Sequence, residues 1–432
     1  MYQFLKIGRS LAFALIAQAA VSSLSAEPLR VTKAQAVAQA LQANAGLMAA
    51  RTTIDRAQGN FRQAGRWSNP ELSLDYATDE TFNDEGEYGF ALGLEQRFPV
   101  TNRLRVQKAI AQDEIELAQV EVANETRLLV QAVELSINSV AELQAQITLR
   151  EERRALNQQF ANFLESRIET GEASVIETNQ IKIEIYAVNQ ELQQLQNELA
   201  EQLTVLRQLM GVADGVEVEP QVDFKLPQAS PGLSLLTRDS LQNHPEYRMK
   251  YLLLRIADKR VSVAKAERWA DIALRVFFEE ERGVDDPGGL GRDRYLGVGV
   301  SIPLPLMDRN NGAIEASRAQ QRQMKYELEY VGSKLRSAAK IQRERALSLY
   351  TQAQDYQTNL TQLVNKNVAD MNTAYSAGQI SLTELFRAQE QALKIQSTHL
   401  EMLHDYEQAM IYWKAATAQH SAQYAPNQTN LN

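Results

Sequence analysis

The 432 residues hold 45 Lys and Arg against 54 Asp and Glu, a formal charge of −9, with 44 % apolar residues, 23 % charged residues and no cysteine. An acidic chain argues against nucleic acid as partner, and a chain without cysteine has no disulfide framework, no thiolate metal ligand and no attachment point for a cysteine-linked lipid. The composition is that of an ordinary folded protein, long enough for two domains.

Lys6 and Arg9 precede an apolar run over 11–20 and the small-residue stretch Val21-Ser-Ser-Leu-Ser-Ala26. That order is the pattern of a secretory signal, so residues 1–26 are expected to be removed, and loss of Lys6 and Arg9 takes the charge from −9 to −11. The run is shorter than the ~20 apolar residues a spanning helix needs. If the protein is held in a membrane, something other than a spanning helix or a lipid must hold it.

The next segment, 32–65, reads as helix, and from there the pattern changes to two-residue alternation. Leu72, Leu74 and Tyr76 alternate with Ser73 and Asp75, and Tyr88, Phe90, Leu92 and Leu94 alternate with Gly89, Ala91 and Gly93. Such alternation puts one set of side chains on each face of a strand. The polar stretch 78–87 between the two runs is expected to be a solvated connection. From 104 to 168 there is neither Pro nor Gly, and a helix of that length is a rod on the order of 100 Å long. Val130, Val133, Ile137, Val140 and Ile147 follow a three-four spacing along it, broken by Gln144. A returning helix, 174–210, carries the same rhythm at Val188, Leu192, Leu195, Leu199, Leu206 and Leu209, broken by Gln202. These are coiled-coil seams. Residues 211–231, with Gly215, Pro220, Pro227 and Pro231, read as a non-helical connector.

The order then starts again: a helix over 233–267, strands carrying Ile272, Leu274, Val276 and Phe278 and then Leu296, Val298, Val300 and Ile302, with the acidic, glycine-rich stretch 279–294 read as their connecting loop. A second rod over 312–375 follows, with Tyr356, Leu360 and Leu363 continuing its seam, and then a helix over 382–418. In each half the two shorter helices, stacked end to end, about equal the long one. The expected organisation is a first repeat over 27–210, a connector over 211–231, a second repeat over 232–418 and a flexible polar tail over 419–432.

The repeat is visible in the residues. Trp67-Ser-Asn-Pro-Glu-Leu-Ser-Leu-Asp-Tyr76 aligns with Trp269-Ala-Asp-Ile-Ala-Leu-Arg-Val-Phe-Phe278, and Phe98-Pro99-Val-Thr-Asn-Arg103 with Leu304-Pro305-Leu-Met-Asp-Arg309. Gly171-Glu-Ala-Ser174-Val-Ile-Glu177 recurs as Gly378-Gln-Ile-Ser381-Leu-Thr-Glu384. In each copy the Gly can end one helix in a left-handed turn and the Ser can cap the next, with Glu at capping-box spacing. Large apolar residues on one strand face and Gly, Ala or Ser on the other fit a barrel strand with lipid outside and a channel inside; the same alternation also serves a sandwich strand on a core. Four strands leave two unpaired edges, which a bilayer does not tolerate, and several copies closing a barrel would remove them.

Taken together, Ala374-Tyr375-Ser-Ala-Gly378-Gln-Ile-Ser381-Leu-Thr-Glu384-Leu385-Phe-Arg-Ala388-Gln389, its degenerate first copy Arg167-Ile-Glu-Thr-Gly171-Glu-Ala-Ser174-Val-Ile-Glu177, the doubled strand pairs and the export signal resemble the TolC-type outer-membrane efflux proteins. The resemblance covers essentially the whole exported chain. It implies a mainly α protein with a small β part: long antiparallel coiled-coil helices forming an α-barrel tunnel across the periplasm, and four strands per chain contributing to a 12-stranded trimeric barrel in the outer membrane. It further implies a homotrimer that docks on a periplasmic adaptor and an inner-membrane pump, without cofactor or catalysis. The size of the chain and Asn69-Pro-Glu-Leu-Ser-Leu at the first strand resemble the branch serving heavy-metal pumps of the resistance-nodulation-division type.

On that resemblance Glu177 and Glu384 fall at the periplasmic tip, where carboxylates from three protomers would ring an opening. Arg167 and Arg387 flank the turns and could pair with them, and Gly171, Ser174, Gly378 and Ser381 form the turns that would meet an adaptor. Capping is the competing role for Ser174, Glu177, Ser381 and Glu384, and solvated helix-end charge for the two arginines. Trp67 and Trp269 precede equivalent strands and are candidates for the membrane boundary or for packing at a helix-to-strand joint. His244, His399, His404 and His420 lack the spacing of a metal site, and Gly288-Gly-Leu-Gly291 is not placed to cradle a phosphate. Three readings remain: an exit duct for efflux of metal cations or drugs, a duct for type I protein secretion, and a periplasmic coiled-coil adaptor or scaffold.

Overall fold

A computed structural model describes residues 29–81, 85–168, 174–285 and 288–419. The expected signal segment, Gly171 and most of the tail, including His420, lie outside the described residues. In chain order the elements are β1 (Leu29–Val31), α1 (Lys33–Ala43), α2 (Ala45–Gln63), β2 (Glu71–Thr78), β3 (Tyr88–Phe98), α3 (Arg103–Ile168), α4 (Val175–Met210), β4 (Val218–Pro220), α5 (Arg238–Asn243), α6 (Pro245–Ala266), β5 (Ile272–Asp285), β6 (Gly289–Ser301), α7 (Asn311–Asp355), α8 (Thr361–Ser376) and α9 (Leu382–Ala416). One π-helical turn, Tyr356–Leu360, joins α7 to α8.

The rods lie side by side. α3 packs against α2 and α4 and also against α6 and α9, which in turn pack against α7. The two interrupted rods, α2 with α4 and α6 with α9, therefore alternate with the two long ones. Val130, Val133, Ile137 and Val140 of α3 are buried, and the first three join Leu206 and Met210 of α4 and Ala36, Val37 and Ala40 of α1 in one core. Each such aliphatic side chain removed from water contributes roughly 1.5–3 kcal/mol, so this seam holds the first repeat together. Between the repeats the rods are joined by charge: buried Asp113 of α3 accepts from Arg255 at 2.9 Å and from Lys259 at 2.5 Å, both of α6. Nearer the tip, Arg153 pairs with Glu184 across α3 and α4.

Three helical expectations need correction. The helix expected over 32–65 breaks at Asn44, which leaves the helical conformation and N-caps α2 by accepting from the Leu47 N–H at 2.9 Å. The helix expected over 233–267 begins only at Arg238 and breaks at His244, which accepts the Glu246 N–H at 3.2 Å and so caps α6, with Pro245 at its first position. These breaks are equivalent. Asn44 Nδ2 donates to the Leu209 carbonyl at 3.0 Å near the end of α4, and His244 Nε2 lies 3.1 Å from the Ala415 carbonyl near the end of α9. In each repeat one side chain starts a helix and satisfies an orphan carbonyl of the helix stacked on it.

The third correction lies in the second rod. Tyr356 is buried and Leu360 half-buried, but Leu363 is 63 % exposed, and Val364 takes the seam position instead. The π turn holds one residue more than an α turn, so the apolar stripe advances by one residue beyond it.

The four longer strands form one antiparallel sheet in the order β2-β3-β5-β6. Its register places Leu72, Leu94, Val276 and Val298 in one row and Leu74, Leu92, Phe278 and Leu296 in the next, all on one face. That face is uncovered: Leu72 is 72 % exposed and Leu296 79 %. The opposite face carries Glu71, Asp75, Glu95, Arg275 and Glu279 with Ser73, Gly93 and Gly297. The stretch 279–294, expected as a loop, is mostly strand, because β5 and β6 pair as far as Asp285 opposite Gly289. Cross-strand contacts carry the ladder on: Arg294 Nε donates to Glu280 at 2.8 Å, and Tyr88 O–H at 2.7 Å. No helix among the described residues is long and apolar enough to cross a membrane.

Candidate functional site

The ends of α3 and α8 and the starts of α4 and α9 come together, and the residues there form one cluster. Ala161 and Leu164 of α3, Ile181 of α4, and Leu382 and Leu385 of α9 are buried together, with Phe160, Phe163, Tyr375 and Phe386 packed around them. Phe160 meets Tyr375 edge-on at 6.0 Å between centroids. The first and second repeats therefore present a single tip.

Local chemistry at the two turns differs. After α8, Gly378 adopts φ 72°, its N–H donates to the Tyr375 carbonyl at 2.9 Å, and the Gln379 N–H donates to the Ala374 carbonyl at 2.9 Å. This closes the helix end with a left-handed residue. Ser381 then starts α9 with a complete capping box: the Glu384 N–H donates to its hydroxyl, and its own N–H donates to Glu384 Oε2 at 2.8 Å. The Ser381 N–H and then its hydroxyl hold the Glu384 carboxyl below the usual carboxylate range, with Arg387 adding a smaller pull through its charge.

At the first turn Ser174 accepts from the Ile176 N–H at 3.2 Å and so caps α4, and Thr178 O–H donates to the Ser174 carbonyl. Glu177 does not complete a box there. It is half-buried and close enough to Tyr375 of the other hairpin to reinforce burial in pushing that phenol's pKa up. The Arg167 guanidinium lies over the Phe163 ring at 4.5 Å. Of the carboxylates and arginines named from the sequence, Glu384 is thus committed to a cap, Glu177 faces the neighbouring hairpin, and Arg167 sits on an aromatic ring. Tyr375 and the aromatic cluster were not singled out in advance, although Phe160, Phe163 and Phe386 near the repeated motif were a visible signal.

At the other end Trp67 stacks edge-on against Phe98 at 5.5 Å and is 59 % exposed, and Trp269 is 49 % exposed just before β5. Arg103 at the start of α3 donates to Asp271 at 2.8 Å, tying the first rod to the second strand pair. The described histidines serve capping, packing and pairing: His244 caps α6, His399 stacks on Tyr356 at 4.2 Å, and His404 Nδ1 lies 3.0 Å from Glu142. No group of three or more metal-binding side chains occurs among the described residues.

Side-by-side rods ending in a sheet with an uncovered apolar face and a polar one make a fold that known proteins share. Residues 36–212 match the sequence profile of the outer membrane efflux protein family. No curated protein matches the chain. Among solved structures CusC superposes with a TM-score of 0.73 at 18 % identity, covering 89 % of this chain and 91 % of that one. VceC of Vibrio cholerae gives 0.70 at 17 % identity over 89 % and 95 %. The open state of the MtrE outer membrane channel of Neisseria gonorrhoeae gives 0.70 at 11 % identity over 89 % and 88 %. The protein thus carries a match to the outer membrane efflux protein profile in its first repeat and shares the fold of these channels along nearly its whole length.

Proposed function

We propose that three copies of this chain close into a passive exit duct of a tripartite efflux system. The observation that carries this reading is the sheet: β2 and β6 are its outer strands, each with one unpaired edge, and the Leu72 to Leu296 face is uncovered. Pairing β6 of one copy with β2 of the next satisfies both edges and gives twelve strands, wide enough for an aqueous lumen. The rods continue the wall below, α7 of one copy against α2 and α4 of its neighbour. A soluble adaptor or scaffold has no use for such a face.

In this duct the tips of the six hairpins form the periplasmic mouth. Glu177 and Glu384 make it acidic, and the turns at Gly171, Ser174, Gly378 and Ser381 are the edge offered to a periplasmic adaptor. Transport energy comes from an inner-membrane pump, of the resistance-nodulation-division type on the sequence resemblance. On the inner face of the sheet Glu71, Asp75, Glu95 and Glu279 outnumber Arg97, which pairs with Glu71 and Glu95, and Arg275, and the remaining negative charge favours cationic cargo, metal cations or cationic drugs, over anions. The test is extraction and reconstitution: a detergent-stable trimer that forms cation-selective pores in planar bilayers supports the duct, and a monomer recovered in the soluble periplasmic fraction refutes it.

A further inference from the structure

Beyond the apolar band, the outward face of the sheet changes character abruptly. The next row is Tyr76, Phe90, Glu280 and Arg294, and the row after it Thr78, Tyr88, Arg282 and Arg292. Both lie on the face that carries Leu72, Val276 and Leu296, because strand alternation preserves the face over every second residue. Three arginines and one glutamate leave two positive charges there per chain. The inward rows at the same height are acidic, with Asp75 and Glu279 in one and Glu281 and Asp293 in the other. Charge is segregated across one sheet, basic outside and acidic inside. Water on both faces would give no reason for that.

The outward arginines are organised. Glu280 is 17 % exposed, accepts from Arg294 Nε at 2.8 Å and from the Tyr88 hydroxyl at 2.7 Å, and forms an ion pair with Arg292, whose Nε lies 3.4 Å away. Each guanidinium is anchored through Nε, while the side chains remain 51 % and 60 % exposed. Tyr76 and Tyr88 stack beside them at 6.4 Å between centroids. Aromatic residues bounding an apolar band mark the depth where hydrocarbon gives way to headgroups. From Ile272, where β5 begins, to Glu280 the strand runs about 26 Å at ~3.3 Å per residue, or about 20 Å in height at a tilt near 40°. The basic rows thus sit at the rim of the band, at the end away from the rods.

We propose that Arg292 and Arg294, preorganised around Glu280, together with Arg282 in the same row as Arg292, bind the phosphate groups of a phosphorylated glycolipid in the external leaflet of the outer membrane. Guanidinium groups suit this ligand because their N–H forks match phosphate oxygens. A lipid is the committed source, because the arginines continue a face whose other residues are apolar and the acyl chains of the same molecule would cover Leu296 and Val298 below. The inference rests on the duct reading, in which this face meets lipid.

The experiment uses the full-length trimer in nanodiscs of phosphatidylcholine containing a minor fraction of diphosphorylated lipid A, with dephosphorylated lipid A as comparison and native mass spectrometry as readout. Wild-type protein is expected to retain the diphosphorylated form preferentially. Arg282→Gln/Arg292→Gln/Arg294→Gln is expected to weaken retention by about two orders of magnitude, near a factor of five for each basic group lost at an anionic surface. Arg292→Lys/Arg294→Lys keeps the charge but loses the Nε anchors and the guanidinium forks, and is expected to retain a preference between that of the wild type and that of the triple Gln variant. Equal retention of both lipids by wild-type trimers overturns the inference and needs no variant. Competition by inorganic phosphate at low concentration in detergent, without lipid preference, also overturns it in favour of a free-anion site. Failure of the wild type to form trimers or enter the bilayer refutes the duct reading itself.

Discussion

His244 offers a quantitative test of how the second repeat is joined. It is fully buried, its Nδ1 accepts the Glu246 N–H, and its Nε2 faces the Ala415 carbonyl. Both contacts require the neutral ring protonated at Nε2. A proton on Nδ1 would break the cap of α6, and burial, reinforced by the charge of Arg127, pulls the pKa from 6.5 down to about 4. A histidine depressed in the folded state lends stability that is fully present above pH 6.5 and is lost as pH falls toward 4, because the unfolded chain takes the proton first. The loss is roughly 2 kcal/mol by pH 5 and about 3 kcal/mol by pH 4 for this group alone.

The matching variant is His244→Asn, the residue that occupies the equivalent joint as Asn44. Asparagine keeps an acceptor for the cap and a donor for the carbonyl but does not titrate. At pH 7 the variant is expected to be less stable, by about 1–2 kcal/mol, for the smaller side chain. Below pH 5 it is expected to equal or exceed the wild type. Guanidinium unfolding of the detergent-extracted protein between pH 7 and pH 4.5 measures both curves, and other titrating groups cancel in their difference. Parallel curves would refute the argument, since they would mean that His244 is not neutral and buried at the joint.

The other expectations are as follows. Gly378→Ala forces a Cβ into the left-handed region with no other atom within 4 Å, so it is expected to cost about 1 kcal/mol in thermal unfolding through backbone strain alone. Ser381→Ala removes the cap of α9 and is expected to destabilise by about 1 kcal/mol, whereas Glu384→Gln preserves the box and is expected to be nearly neutral in stability. Glu177→Gln with Glu384→Gln is expected to lower cation selectivity in planar bilayers; unchanged selectivity with lowered stability leaves these residues a structural role only. Deleting Asn359 from the π turn is expected to restore an α turn and leave the downstream seam in place. Deleting Gln362 rotates Val364 by about 100° and is expected to reduce trimer yield; equal yields would show that the turn does not set the phase.

The long elements were legible because each repeats one pattern many times: sixty-six residues of α3 without Pro or Gly, and strands alternating at period two. The interruptions were less so. Asn44 breaks its helix where its local cap on the Leu47 N–H is reinforced by a tertiary partner, the Leu209 carbonyl, which the sequence does not show. His244 was a missed signal, since Pro245 directly after it suits a first helical position. The far half of β5 and β6 looked like loop because its charges leave neither face apolar, so it lacks the hydrophobic mark of a strand. At the tip, spacing identified both caps but could not tell that Ser381 with Glu384 forms a full box and Ser174 with Glu177 does not.

That difference bears on how a duplicated hairpin can act as a mouth. In the proposed trimer three tips of one kind alternate with three of the other. The Glu384 carboxylate is held by the Ser381 N–H and hydroxyl, so its charge is fixed in place and spent partly on the helix end. The half-buried Glu177 completes no such box with Ser174 among the described residues and lies beside the Tyr375 phenol of the other hairpin. Repulsion around the ring would fall more heavily on the Glu177 set, whose carboxylates are less fully compensated and whose packing involves both hairpins. A small shift of α4 relative to α8 changes that contact, whereas the Ser381–Glu384 box moves as a unit with α9. In the proposed duct the duplication would supply one rigid and one adjustable copy of the same turn, and an adaptor bearing on the first hairpin would meet the one whose charge is freer to move.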